Sequence, residues 1–151
     1  MVGNLQRLCT FSLGEMLLGI SVEQVQEVVL AQQTTRVPLA KQTVAGLINL
    51  RGQIVTAIDL RECLQLPPRS ISDRPINVIV YTQHEPVSFI VDRVGDVLDI
   101  EPSTFAPPPE TLDGPASQFI TGAYKLDGQL LLLLDIMKIV EQVTRDHSPD
   151  H

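Results

Sequence analysis

The chain has 151 residues, of which 44% are hydrophobic and only 4% aromatic, so its core must consist mainly of Val, Leu and Ile. The formal net charge of −7 argues against binding to the phosphate backbone of nucleic acids or to an anionic membrane surface. Two cysteines give neither a disulfide framework nor zinc-site spacing, so we expect reduced thiols in the core. Since no apolar run is long enough to span a bilayer and no signal peptide is visible, we expect a cytoplasmic protein.

The N-terminal half predicts a series of short strands and hairpins. The predicted strands are residues 8–13, 16–20, 25–30, 45–49 and 53–58. The second hairpin turns at Arg51-Gly52, where glycine can supply the positive φ that a tight turn needs. Asp59, followed by Glu62 three residues later, predicts the start of a short helix over residues 60–64.

The C-terminal half repeats this plan. The predicted strands are residues 76–81, 87–91, 94–100, 119–126 and 129–134, with a long proline-rich connection at 101–117. Ile136, Ile139, Val140 and Val143 fall on one face of a helix and predict a C-terminal helix. The leucines of 130–134 supply both faces of their strand, and we expect that helix to cover most of one of them, with a partner protein as the alternative.

The two halves also share their sequence. Residues 46–59 return as residues 122–135, with Gly, Leu, Gly, Gln and Asp at identical spacing. A weaker echo precedes each copy, since Val25-Gln-Glu-Val28 returns as Val94-Gly-Asp-Val97. Self-similarity in a fixed order predicts an internal duplication with a groove between the two copies. We place the halves at 5–66 and 76–143, joined by a seam loop at 66–75, within a single domain of residues 1–151.

Asp59 and Asp135 hold equivalent positions in the two copies and are the candidate catalytic pair. Two such carboxylates could share a proton in an enzyme cleft between the halves. Helical patterns begin directly after both residues, however, so helix capping is the favoured interpretation. No motif for a nucleophile, a phosphate-binding loop or a metal site is present, and we expect neither an enzyme nor a cofactor. A small-ligand-binding barrel stays open as an alternative of a different class.

Arg51 is the most notable single residue, because its equivalent in the second copy is Asp127. A charge that only one copy carries suggests a use beyond folding, although an ordinary solvated arginine fits the pattern equally well. The planar guanidinium of arginine suits a carboxylate on another protein.

Together these motifs resemble the CheW family of chemotaxis adaptors. The resemblance covers about residues 5–143, and residues 44–61 are its most specific part. That stretch is similar to the family signature G-x-x-N-L-R-G-x-x-x-P-x-x-D-L-R, except that Thr56 stands where proline is common. Supporting similarities lie, in order, at residues 19–21, 25–28, 36–38, 91–97 and 119–122.

The resemblance implies a mainly β fold of two intertwined five-stranded SH3-like barrels with short helices. It also implies a non-enzymatic scaffold that binds the regulatory domain of a CheA-type histidine kinase and the cytoplasmic tip of a methyl-accepting chemoreceptor. Such a protein would act at membrane-associated chemoreceptor arrays. A related scaffold of a surface-motility or other chemosensory pathway is the alternative within the same class.

The resemblance further implies a receptor-binding groove. Arg51 matches the signature arginine directly and is its first candidate residue. Glu27, Val25, Val91 and Val94 match flanking patterns and complete the predicted set. For the three valines, an ordinary position in the core remains the alternative.

Overall fold

The computed structural model describes residues 5–30, 32–69, 74–83, 85–101, 104–107 and 115–147. The strands are β1 (Gln6–Leu13), β2 (Met16–Ser21), β3 (Val25–Leu30), β4 (Val44–Leu50), β5 (Gln53–Asp59), β6 (Ile76–Tyr81), β7 (Pro86–Val91), β8 (Arg93–Ile100), β9 (Phe105–Ala106), β10 (Ile120–Leu126) and β11 (Gln129–Leu134). Helix α1 is Leu60–Cys63 and helix α2 is Ile136–His147, and 3-10 turns occupy Val22–Gln24 and Pro115–Phe119. The predicted mainly β fold is therefore confirmed. His84 of the third predicted hairpin, parts of the seam loop and of the proline-rich connection, and residues 148–151 lie outside the described residues.

The strands form two sheets, and each sheet contains strands of both sequence halves. The first sheet has the order β8-β1-β2-β11-β10-β9, and the second has the order β3-β6-β7-β5-β4. The β1–β2 hairpin joins the first sheet through a parallel pairing of β2 with β11, and the β6–β7 hairpin joins the second through a parallel pairing of β7 with β5. This exchange of hairpins confirms the predicted intertwining. The first sheet also contains the short strand β9, which was not predicted. Thr56 lies in β5, as predicted, and β5 has a neighbouring strand on both sides.

The duplication extends to the irregularities of the sheets. The β3–β6 ladder shifts register between Val25 and Glu27, and the β8–β1 ladder shifts at the equivalent place, between Val94 and Val97. The β4–β5 and β10–β11 hairpins each shift next to the glycine that opens the repeat. Since a bulge bends a strand and re-aims its side chains, the two halves bend in the same way.

The repeated glycine is explained by a close crossing of the backbone. Thr35 forms a bridge with Leu47 beside Gly46, and β9 pairs with β10 at the equivalent place beside Gly122. A Cβ atom on Gly46 would overlap the carbonyl group of Thr35. A Cβ atom on Gly122 would overlap the ring of Phe105 and the carbonyl oxygen of Ala106, both in β9. Glycine recurs because a neighbouring chain segment lies against the hairpin in both halves.

We expect Gly46→Ala to lower the free energy of unfolding by about 2 kcal/mol, because the new methyl group meets backbone that cannot move aside. The φ of 150° at Gly46 adds strain for any other residue. Gly52→Ala is the matched control, since φ is 88° there but no atom lies within 4 Å of a new Cβ. Urea denaturation of both variants measures the difference, and equal losses would show that the crossing segment imposes no constraint.

Apolar side chains pack into three buried clusters. The largest includes side chains from both sheets and from both α-helices, and it contains both free cysteines, as expected. Each sheet also has a smaller cluster of its own. Leu132 and Leu134 share the large cluster with Ile136 and Ile139, whereas Leu131 belongs to the cluster of the first sheet. One face of the leucine-rich strand β11 and the apolar side of α2 therefore belong to the same buried cluster, which agrees with the predicted role of the helix.

The two equivalent aspartates cap the two α-helices. Oδ1 of Asp59 accepts a hydrogen bond from the amide of Arg61 at 3.0 Å, and Oδ1 of Asp135 accepts one from the amide of Lys138 at 3.0 Å. These bonds satisfy donors that the first turn of a helix leaves without partners. The favoured interpretation of the pair as helix caps is thus confirmed.

Removal of one cap should cost stability alone. We expect Asp135→Ala to lower the free energy of unfolding by about 1 kcal/mol, the usual effect of losing an N-cap. The thermal midpoint should fall by roughly 2–4 °C in a domain of this size. Thermal unfolding followed by circular dichroism checks this, with Asp135→Asn as the control that keeps a capping oxygen. An unchanged midpoint for Asp135→Ala would contradict the capping role.

Candidate functional site

Arg51 lies at the tip of the β4–β5 hairpin in a left-handed backbone conformation. Its φ is 52°, and the φ of Gly52 is 88°, as in a two-residue hairpin turn with two left-handed residues. The amide of Gly52 donates a hydrogen bond to Oδ1 of Asn49 at 2.8 Å, which closes the turn. Asparagine or glycine is the residue that such a position favours. A bulky charged residue held there against local preference points to a role beyond the turn itself.

Arg51 forms an ion pair with Glu27. Nη2 of Arg51 donates to Oε2 of Glu27, whose hydrogen bond and charge raise the pKa of Arg51 above its ordinary value. The Arg51 side chain is 66% exposed and the Glu27 side chain 25% exposed, so the pair lies at the surface. The strands β3 and β4 stand at opposite ends of the order in the second sheet. The ion pair therefore spans two edges of a curled sheet.

The second copy has no equivalent pair. Asp127 takes the place of Arg51, and Asp96 takes the place of Glu27 in the echo motif. Two carboxylates repel each other, so the first sheet cannot form this contact. The ion pair is therefore an asymmetry between the two equivalent hairpin tips.

The three predicted valines do not share one environment. Val25 and Val94 are half-buried at the margin of the large cluster, on the equivalent strands β3 and β8. Val91 is fully buried, because every residue of β7 is covered. The prediction that Val91 lines a surface groove is therefore corrected, and Val91 is a core residue.

Two other valines are exposed instead. Val28 is 42% exposed on β3, and Val97 is 51% exposed on β8, where each strand forms the edge of its sheet. The echo motif places them in equivalent positions, and its first valine points inwards while its last points outwards. The echo marks all four valines in the sequence, but periodicity alone leaves open whether each faces the core or forms an apolar strip along a strand edge. The bulge inside each motif changes the simple alternation of faces, so only the structure shows that Val28 and Val97 are the exposed ones.

The candidate catalytic pair, Asp59 and Asp135, is engaged in helix capping. Asp59 ends β5 of the second sheet, whereas Asp135 follows β11 of the first sheet. Within the described ranges, no three His, Cys, Asp or Glu side chains are grouped as metal ligands would be. Neither α-helix in the described part of the chain has the length and apolarity that crossing a bilayer requires.

Comparison with known proteins gives one consistent result. A family model described as the CheW-like domain matches residues 7–144. The chemotaxis protein CheW of Klebsiella aerogenes is 31% identical over 150 residues, which cover 94% of this chain and 90% of that protein. CheW of Bacillus subtilis is 32% identical over 124 residues, with 82% and 80% covered. The crystal structure of the scaffolding protein TtCheW from Thermoanaerobacter tengcongensis matches with a TM-score of 0.77 at 30% identity, covering 87% of this chain and 85% of that one.

Proposed function

The chain belongs to the CheW-like domain family of chemotaxis scaffold proteins, and on that premise we propose that it couples methyl-accepting chemoreceptors to a CheA-type histidine kinase. Proteins of this family are non-catalytic adaptors, so the proposed function needs binding surfaces and no reaction. The ion pair of Arg51 with Glu27 is the observation that supports assigning receptor binding to particular residues. Arg51 lies in the family signature, and the pair lies at the surface and in only one of the two copies.

The receptor tip is a helical hairpin, and a helical surface binds a groove through a few apolar contacts and a few charges. In this proposal Arg51 and Glu27 fix the orientation of the receptor, since charges at an interface contribute register and specificity. Val25 and Val94 supply apolar contact at the bottom of the groove, where each is half-buried. Arg51 can exchange Glu27 for a receptor carboxylate without losing a partner, because its side chain is mostly exposed.

The kinase would bind elsewhere on the molecule, through its regulatory domain of the same fold. We place this contact at the ends of the two sheets and assign no residues to it. Simultaneous binding of receptor and kinase would locate the protein at membrane-associated receptor arrays.

Chemical-shift mapping tests the proposed receptor site directly. A chemoreceptor tip fragment would be titrated into 15N-labelled protein, and we expect the amides of Glu27 and Gly52 to shift in a saturable manner. Gly128, the echo of Gly52 at the other hairpin tip, is the internal control and should not shift. Saturable binding that moves Gly128 and leaves Gly52 unchanged would overturn the site. A titration without any shift would count against the function itself.

A further inference from the structure

The backbone passes from one sheet to the other at Asp92. Strand β7 of the second sheet ends at Val91, and β8 of the first sheet begins at Arg93, so Asp92 alone joins them. Its amide donates a hydrogen bond to the carbonyl oxygen of Ser12 in β1 at 3.1 Å. The angle at which β8 leaves the second sheet therefore depends on Asp92 and the residues next to it.

The carboxylate of Asp92 gathers donors from three separate segments. Arg61 donates through Nε to Oδ1 at 3.0 Å and through Nη2 to Oδ2, which is a bidentate contact. Arg69 donates through Nε to Oδ1 at 3.3 Å, and the amide of Gly14 donates to Oδ2 at 2.7 Å. We call Asp92, Arg61, Arg69 and Gly14 the clasp. The three charged side chains are only 13–15% exposed, so solvent screens them weakly.

The clasp connects the two sheets at one point. Gly14 lies in the β1–β2 turn of the first sheet, whereas Arg61 lies in α1, directly after β5 of the second sheet. Arg69 follows in the loop after α1, and its Nη2 lies 4.0 Å from Oδ1 of Asp59, which caps that helix. The apolar cluster between the sheets holds them together without a preferred direction. A bidentate arginine–carboxylate contact, in contrast, fixes both distance and angle.

The clasp is close in sequence to one residue of the proposed receptor groove. Val94 lies on β8, two residues after Asp92, whereas Val25 and Glu27 lie on β3 of the second sheet. A change in the angle at which β8 leaves the crossing would move Val94 relative to them. We propose that the clasp positions β8 against the second sheet and thereby sets the width of the receptor groove. Asp92 is then a positioning residue for receptor binding, and this part of the inference rests on the proposed function.

Spin-label distances between β3 and β8 test the positioning in the free protein. Nitroxide labels would be placed by Gln26→Cys and Asp96→Cys, since both side chains are exposed on these strands. The native Cys9 and Cys63 are buried, and burial raises the pKa of both thiols, that of Cys63 to about 12, with help from Asp59 and Glu62. They should therefore react slowly with the label at neutral pH.

The variants to compare are Asp92→Asn and the matched control Asp99→Asn. Asp99 lies on β8, the strand that follows Asp92, and pairs with Arg7 at 3.0 Å, but that pair is largely exposed. We expect Asp92→Asn to shift or broaden the distance distribution and to weaken binding of a receptor tip fragment by about tenfold or more. Asp99→Asn should change neither quantity. Arg69→Gln, which leaves the Arg61 contact in place, should give a smaller change of the same kind if Asp92→Asn does not fold.

Each outcome decides one part of the inference. A wild-type distance distribution in folded Asp92→Asn, or in Arg69→Gln in its place, overturns the clasp whatever the receptor affinity. A changed distribution with unchanged receptor affinity overturns its link to the groove. If the wild-type protein does not bind the receptor fragment at all, the proposed function fails, and the distances alone still decide whether the clasp positions β8.

Discussion

Arg51→Glu should abolish most receptor binding while leaving the protein folded. The substitution places a second carboxylate beside Glu27 and removes the cation that pairs with it. We expect the affinity for a receptor tip fragment to fall by about thirtyfold or more, as for other charged contacts that an interface buries. The thermal midpoint should change little, because the Arg51 side chain is 66% exposed and surface ion pairs stabilise weakly. Isothermal titration calorimetry and thermal unfolding measure the two effects separately.

Two further variants separate charge from hairpin geometry. Asp127→Lys reverses the charge at the equivalent tip of the other hairpin and should leave receptor affinity unchanged. Arg51→Asn keeps a residue that favours the left-handed conformation, so it should unfold at the wild-type temperature or above it and still bind poorly. Wild-type affinity in Arg51→Glu would refute the assignment of the site to this pair.

Asp92→Asn should cause the largest loss of stability among single substitutions in the clasp. It leaves Arg61 and Arg69 largely buried without the carboxylate that they share. Removing one partner of a buried ion pair destabilises a protein by more than the intact pair stabilises it, because the remaining charge stays buried without compensation. We therefore expect the free energy of unfolding to fall by about 3 kcal/mol at pH 7. Urea denaturation measures this, with Asp99→Asn as the exposed control that should lose less than about 1 kcal/mol.

The same carboxylate predicts a specific dependence of stability on pH. Burial alone would raise the pKa of Asp92, but hydrogen bonds from Arg61 and Gly14, with the charges of Arg61 and Arg69, lower it to about 2. A pKa lowered in the folded state contributes stability at pH values above the unfolded pKa of about 3.9 and loses it as the pH falls towards 2. The contribution at neutral pH is about 2 kcal/mol.

The wild-type protein should therefore exceed Asp92→Asn in its free energy of unfolding by about 2 kcal/mol less at pH 2 than at about pH 5. Asp59 and Glu15 also lie near the clasp, but both proteins contain them, so Asp92 is the carboxylate in which the two proteins differ. Unfolding by urea at several pH values gives the comparison. A difference between the two proteins that stays constant with pH would mean that Asp92 is not held ionised by the clasp.

Local features of the fold were predictable because their signals lie within a few residues. The hairpins at Arg51-Gly52 and Asp127-Gly128 follow from turn chemistry between apolar runs, and the observed strands agree with the predicted ones to within one or two residues. The caps at Asp59 and Asp135 follow from residue type and position. Arg51 was marked by the repeat, because its equivalent in the second copy is Asp127, whereas its proposed role and the other residues of the site came from the resemblance to a family.

Features that depend on distant segments were not predictable in the same way. The parallel pairings of β2 with β11 and of β7 with β5 exchange hairpins between the sheets. These strands are far apart in sequence, and no local pattern in either strand indicates its partner. The burial of Val91 follows from coverage of β7 on both faces, which its own sequence does not reveal. The clasp brings Asp92 to Arg61, 31 residues away, although a charged residue beside the apolar run of β7 was a visible hint.

Reconstitution of kinase activity tests the central claim most directly. A CheA-type kinase and receptor tip fragments clustered on vesicles would be combined with increasing amounts of this protein, and kinase activity and co-sedimentation would be measured together. The proposed function predicts that activity rises with added wild-type protein, which sediments with both partners, and that Arg51→Glu does neither. Kinase activity that is independent of the protein at every concentration, with no joint sedimentation, would contradict it.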